Sequence, residues 1–143
     1  MRALFDVNVL IALLDAGHSS HRKAMNWLEN SSQYGWASCP ITQNGCVRIM
    51  SNPKYPAPLP ATVVADRLGQ AVAAPEHVFW PDDISLLGSS LFDWSYVLSS
   101  RHVTDMYLLG LAVQNQGRFL TFDRRTSLQA VSQAETDHLC VLC

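Results

Sequence analysis

Three aspartates lie where an apolar stretch gives way to a polar one. Asp6 interrupts "RALFDVNVLIALLD", Asp123 ends "RFLTFD", and Asp105 lies near the start of "HVTDMYLLGLA". An unpaired carboxylate in an apolar setting costs several kcal/mol, so each needs a compensating partner. Hard divalent cations with oxygen ligands are the usual partner of clustered carboxylates. The residue types therefore predict a metal site, provided that the fold brings the three together.

The elements that would position them alternate between strand and helix. Short apolar runs predict five strands, at 2–5, 34–38, 77–80, 118–122 and 138–142. Helical spacing and end signals predict six helices. The first runs from the end of the first strand to Asp15, and the second begins after a cap at Ser19 or Ser20. The others lie at 40–50, 62–73, 85–98 and 104–117, and Thr104 is predicted to cap the last of them. Strands separated by helices pair in parallel through right-handed crossovers. We expect a single α/β domain over residues 1–143, with a central parallel sheet of about five strands flanked by helices.

This topology places the three aspartates on one edge of the sheet. Functional groups of open parallel sheets gather beyond the carboxyl ends of the strands, where helices also begin. Asp6 ends the first predicted strand, Asp123 ends the fourth, and Asp105 lies in the first turn of a helix. Each also has a local explanation, since Asp6 could cap the next helix, Asp123 could cap a turn and Asp105 could complement a helix dipole. Their coincidence on one edge favours a shared site.

Composition describes a compact protein. The 143 residues are 48% hydrophobic and 15% charged, with a net charge of −2. Because the chain has no overall positive charge, binding to RNA would require a local patch of basic residues or bound metal ions. No apolar run is long enough to span a bilayer, and the first residues lack a secretory pattern. We therefore expect a cytoplasmic protein with no membrane association.

Four stretches together resemble the PIN-domain family, and in particular the VapC-like toxins of bacterial type II toxin–antitoxin pairs. The stretches are "LFDVNVLIALLD", "HSSHRKAMNWL", "CPITQNGCVRIMSNP" and "HVTDMYLLGLAVQNQGRFLTFD". Each alone is a weak match, but their order and spacing make the resemblance specific over nearly the whole chain.

The resemblance implies a ribonuclease with acidic residues around Mg²⁺ or Mn²⁺. By motif, Asp6, Asp105 and Asp123 match the first, third and fourth acids of the family, and Gln43 occupies the second position, where a Glu is usual. A glutamine can offer a carbonyl oxygen, but it brings no charge and cannot act as a base. We therefore expect an impaired endoribonuclease toxin, in which a metal-activated water attacks an RNA phosphodiester in line. The alternative is a catalytically degenerate domain that binds RNA or an antitoxin without cleaving.

Neighbouring residues extend this predicted site. Asn8 and Thr121 lie beside the acids and are expected to orient them, although local capping explains both equally well. Arg48, Arg124 and Arg125 are weak candidates for RNA phosphates, because solvated surface charge is the ordinary role of such residues. The resemblance further implies a cognate small antitoxin, an RNA substrate and a homodimer.

A different class of enzyme also begins with an aspartate after the first parallel strand. Phosphohydrolases that form an aspartyl-phosphate normally have a second Asp two residues later, where this chain has Asn8. They also need a phosphate-binding lysine, and neither Lys23 nor Lys54 follows a predicted strand. This class is therefore disfavoured. The origin of Gln43 stays open between natural divergence and a replacement made to silence a toxic nuclease.

Overall fold

Five parallel strands form the central sheet of the computed structural model, which describes residues 1–88 and 90–143. Their order across the sheet is β3-β2-β1-β4-β5, so the first strand is central. The strands are β1 (Ala3–Phe5), β2 (Trp36–Ser38), β3 (His77–Phe79), β4 (Arg118–Thr121) and β5 (Leu139–Val141). The predicted parallel α/β sheet is confirmed.

The two faces of the sheet are covered by different helices. The helices are α1 (Val7–Leu14), α2 (His21–Ser31), α3 (Pro40–Met50), α4 (Ala61–Val72) and α5 (His102–Gln114). Leu4 and Phe119 pack with α5 on one face, whereas Phe5 and Leu120 pack with α1 to α4 on the other. This alternation follows the two-residue period of a strand. Helix α5 is buried at every position from 106 to 113, so it is a core helix throughout.

The first residues of α3 and α5 can be compared with the helix starts that the sequence predicted. Helix α3 begins at Pro40, as predicted, because a proline at this position costs no hydrogen bond. Helix α5 begins at His102, two residues before the predicted cap, so Thr104 lies inside the first turn and the capping prediction was wrong. Asp105 nevertheless lies in that first turn, as expected.

The helix predicted at 85–98 is also wrong. Its described part, residues 85–88 and 90–98, contains only a 3₁₀ turn at Trp94–Tyr96, and Ser89 lies outside the described residues. Phe92 pairs with Val131 in an isolated antiparallel bridge, and the Asp93 N–H donates to the Ala130 carbonyl at 2.8 Å. These long-range bonds replace the bonds that a helix would make, while Leu91 and Phe92 still reach the core. Apolar spacing alone does not distinguish these two outcomes.

Among the described residues, no helix is long and apolar enough to cross a membrane.

Candidate active site

Asp6 is held by bonds from two neighbouring elements. Its Oδ1 accepts the Val7 N–H at 2.7 Å, which caps α1, and its Oδ2 accepts the Thr121 hydroxyl at 2.6 Å. The pairing of β1 with β4 brings these residues together, since Phe5 is opposite Leu120. Burial raises the pKa of Asp6, the bonds from Thr121 and Val7 lower it, and the charge of Asp123 raises it again. The carboxylate in the apolar run therefore has partners, but they do not offset its burial.

Asp105 carries the most perturbed carboxyl of the site. Its pKa is raised from 3.8 to about 7, first by burial and then by the negative charges of Asp6 and Asp123, with Arg125 acting in the opposite direction. The contributions of Asp6 and Asp123 show that both carboxylates lie close enough to Asp105 to interact with it electrostatically. The structure thus brings together the three aspartates that the sequence predicted to lie on one edge.

Asp123 differs because a cation accompanies it. Its Oδ1 accepts the Arg125 backbone N–H at 2.8 Å and the Arg125 Nε–H at 3.2 Å, and these bonds lower the pKa of Asp123. The Asp123 N–H donates to Thr121 Oγ1 at 3.0 Å. The hydroxyl of Thr121 therefore links the two acids, because it donates to Asp6 and accepts from the backbone of Asp123.

The donor chemistry of this edge fits a hard divalent cation. Asp6 and Asp123 interact electrostatically with Asp105, and Arg125 is the accompanying cation, so negative charge is in excess. Carboxylate oxygens are the ligands that Mg²⁺ and Mn²⁺ prefer. In the ranges 1–88 and 90–143, no group of three His, Cys, Asp or Glu side chains is yet arranged as a ligand set. Asp6, Asp105 and Asp123 would therefore have to converge on an ion by side-chain rotation.

Asn8 adds a buried acceptor next to Asp6. It lies in the first turn of α1, and its Oδ1 is buried with no hydrogen-bond partner among the described residues. A buried carbonyl oxygen without a donor costs free energy, so a water, an ion or a substrate group would be stabilised there.

Gln43 is hydrogen-bonded to the end of β2. Its Nε2 donates to Ser38 Oγ at 2.9 Å, and the same hydroxyl is 2.7 Å from His77 Nε2. The Gln43 side chain also lines a groove between α3 and α4.

The next residue of α3, Asn44, lines a different depression from the groove that Gln43 lines with α4. It is exposed in a depression that Val7 and Thr104 also line, and these are the chain neighbours of Asp6 and Asp105. Gly45 allows α3 to pack closely against Val7 of α1, because a Cβ at Gly45 would be 2.7 Å from Val7 Cγ2. A small residue at this spacing is a weak signal that sequence reasoning did not use.

The three candidate arginines lie in different surroundings. Arg48 is exposed and lines the same depression as Asn44. Arg125 is paired with Asp123, and Arg124 is exposed beside it. Sequence reasoning missed Tyr96 and His102, which line a narrow pocket together with Asp105 and Arg125.

Comparison with known proteins identifies two relatives by sequence and one neighbour by fold. The chain is 48% identical over 142 residues to "Ribonuclease VapC44" of Mycobacterium tuberculosis, covering 99% of this chain and 100% of that protein. It is 43% identical over 125 residues to "Ribonuclease VapC39" of the same organism, covering 86% and 89%. VapBC2 from Rickettsia felis, solved with a promoter DNA fragment, shares the fold with a TM-score of 0.61 and 10% identity over 100% of both chains. No family model matches the chain.

Proposed function

The chain belongs to the VapC ribonuclease family, and we propose that it is an endoribonuclease toxin that uses Mg²⁺ or Mn²⁺ held by Asp6, Asp105 and Asp123. The observation that carries this proposal is the electrostatic interaction of Asp105 with Asp6 and Asp123, which adds to the effect of burial in raising the pKa of Asp105 to about 7. Three mutually repelling carboxylates reduce stability unless a cation offsets them, so their presence on one edge suits a catalytic purpose.

The side chains of this edge would divide the work of RNA cleavage. A bound divalent cation supplies an activated water and offsets charge on the phosphate. Thr121 holds the Asp6 carboxylate in one orientation through its 2.6 Å bond. Asp105 must release its proton before it can act as a ligand. Asn8 Oδ1, which is buried and without a partner among the described residues, can accept a hydrogen bond from water at this edge.

Position 43 determines how active this protein is. Gln43 brings no charge, and its amide is already bonded to Ser38. Three carboxylates can hold one ion well and a second only weakly, so we propose that cleavage is impaired and depends on high metal concentration. The same observation favours a second candidate, a catalytically degenerate domain that binds RNA or its antitoxin. Membership of a ribonuclease family argues against the phosphohydrolase alternative.

The partners that we propose are an RNA substrate, a cognate small antitoxin and a second copy of this chain. The fold neighbour from Rickettsia felis is a VapBC assembly, which supports an antitoxin partner. A group of carboxylates in excess of cations attracts an arginine from a partner, so a C-terminal antitoxin segment would lie across the acidic edge. A homodimer would be detected by light scattering at micromolar concentration, and a strictly monomeric mass would contradict it. The cytoplasmic location stays a prediction.

Cleavage of a single-stranded RNA in Mn²⁺ tests the function. We expect slow cleavage that EDTA abolishes and that Asp6→Asn and Asp105→Asn each reduce by at least about 100-fold. Asp66→Asn is the matched control, because Asp66 is exposed on α4 and its loss should change nothing. Cleavage that survives EDTA would contradict the proposal. Binding of RNA without cleavage would favour the degenerate domain.

A further inference from the structure

Ser38 and His77 form a hydrogen-bonded pair beside Gln43. The pairing of β2 with β3 places His77 opposite Trp36, which shares one face of β2 with Ser38. The His77 ring packs against the Trp36 ring with their centroids 4.5 Å apart, and this contact fixes its orientation. Ser38 Oγ is 2.7 Å from His77 Nε2 and 2.9 Å from Gln43 Nε2. The three side chains therefore form one continuous chain of hydrogen bonds.

The direction of each bond in this chain follows from the number of donors. Ser38 is fully buried, so its hydroxyl has no access to water and offers one proton to its two neighbours. The Gln43 Nε2 group can only donate, so the proton of Ser38 goes to His77 Nε2. His77 Nε2 must therefore be an acceptor, and the proton of the neutral ring lies on Nδ1.

The surroundings of His77 favour this form of the ring. Burial lowers the pKa of His77, a hydrogen bond to the Val72 backbone raises it, and the charge of Arg2 lowers it again. A hydrogen bond that raises the pKa of a histidine is one that the ring donates, so the Val72 backbone accepts the proton of Nδ1. His77 is thereby held as the acceptor of the Ser38 hydroxyl.

The consequence for Gln43 is that its carbonyl oxygen stays free. Ser38 occupies Nε2, whereas Oε1 has no hydrogen-bond partner among the described residues and is not closed to solvent. The side chain lines an open groove of about 770 Å³ between α3 and α4, so water, an ion or a donor group of a substrate can reach this oxygen. A reversed amide would present N–H groups instead, which cannot accept a hydrogen bond.

We propose that Ser38 and His77 are positioning residues for RNA cleavage, which hold the Gln43 amide with its nitrogen bound and its oxygen directed to solvent. The inference rests on the proposed function, in which position 43 contributes to cleavage. Water donates its hydrogen bonds to oxygen, and hard cations bind oxygen rather than an amide nitrogen. The pair therefore preserves the one property of the usual glutamate that a glutamine can supply.

The first test determines which ring nitrogen of His77 carries the proton. In ¹⁵N-labelled, metal-free protein at pH 7.5, NMR correlations between ring protons and ring nitrogens should show the proton on Nδ1 and an unprotonated Nε2. The loss of this signal in His77→Phe assigns it. A proton on Nε2, in the neutral or the charged ring, would overturn the inference, because His77 would then donate to Ser38 and the Ser38 proton would turn to Gln43 Oε1.

The second test asks whether the pair acts through Gln43. Ser38→Ala removes the acceptor of the amide, and His77→Phe leaves the Ser38 proton with Gln43 Oε1 as its acceptor. Each should reduce Mn²⁺-dependent cleavage about tenfold or more. In a Gln43→Ala background the same two changes should have no further effect, because no amide remains to be positioned. Single-turnover rates with excess protein make slow variants measurable, and thermal melting checks that each variant is folded.

Ser51→Ala is the matched control. Ser51 lines the same groove, but its hydroxyl donates to the Arg48 carbonyl at 3.4 Å, so its loss should leave cleavage unchanged. Equal losses from Ser38→Ala with and without Gln43 would mark a purely structural role, and undiminished cleavage by Ser38→Ala would mark no role. Either result would overturn the inference and leave the proposed function standing. Absence of cleavage by every form would overturn both, even with the His77 proton on Nδ1.

Discussion

The hydroxyl of Thr121 donates to the carboxylate of Asp6 at 2.6 Å across 115 residues of chain. The same oxygen accepts the Asp123 N–H at 3.0 Å, so a single side chain connects the first and last acids of the site. Groups that orient metal ligands in this way control both the ligand geometry and its pKa.

Thr121→Val tests this link, because valine keeps the shape of threonine and removes the hydroxyl. The pKa of Asp6 should rise further, since the bond from Thr121 lowers it. We expect the affinity for Mn²⁺ to fall by about 10–100-fold, as is typical when a group that supports a ligand is lost. Isothermal titration calorimetry at pH 6 and pH 8 should show the larger loss at pH 6. Thr62→Val, on the exposed face of α4, is the control, and equal losses in both variants would contradict the link.

Asp105 should make the metal-free protein less stable as the pH rises. Its pKa is about 7 in the folded protein and near 3.8 when unfolded, so the folded state binds more protons between these values. The free energy of unfolding therefore falls as the pH rises through this window. In EDTA at pH 8, Asp105→Asn should melt at a higher temperature than the wild type, and the difference should shrink at pH 5. Thermal denaturation measures both, and a lower melting temperature for Asp105→Asn at pH 8 would refute the prediction.

Arg125 should compete with the metal for Asp123. The guanidinium lies 3.2 Å from Asp123 Oδ1, so removing it leaves the carboxylate with the backbone N–H of residue 125 but without a paired cation. We expect Arg125→Gln to raise the affinity for Mn²⁺ by about twofold to fivefold, the scale of an exposed ion pair, and to weaken binding of RNA. Arg124→Gln is the control, since Arg124 is exposed and adjacent in sequence. The idea fails if both variants bind Mn²⁺ with the same affinity.

Gln43→Glu asks whether position 43 belongs to the metal site. A glutamate adds negative charge and can turn toward the aspartates, so we expect Mn²⁺-dependent cleavage to rise at least about tenfold. Gln70→Glu adds the same charge on the exposed side of α4 and serves as control. If cleavage does not change, the carboxylate has stayed with Ser38. In that case the Ser38 hydroxyl would donate to the new carboxylate. The added negative charge would favour the protonated form of His77, and NMR titration of the imidazole ring would detect this change.

Sequence patterns predicted the sheet well because strand and helix signals alternate clearly. Parallel pairing followed from connection rules, and with it the common edge of Asp6 and Asp123, whereas the position of β4 beside β1 was not predicted. The prediction of a helix around Phe92 was wrong, because the long-range bonds of this segment to Ala130 and Val131 have no local signature. The bond from Gln43 to Ser38 and the close packing of Gly45 against Val7 likewise have no local signature. Local patterns identify elements, whereas contacts between distant residues set their final orientation.

The central position of β1 has a consequence for synthesis on the ribosome. Strand β1 is made first, but its partner β4 begins only at Arg118, and Asp123 follows that strand. Contacts between such distant segments form late in folding, because the intervening chain must first be closed into a loop. A nascent chain that ends before β4 has Asp6 without Thr121 and lacks one of the three carboxylates. The acidic site therefore cannot assemble until almost all of the chain has emerged, and truncated translation products would be harmless to cellular RNA.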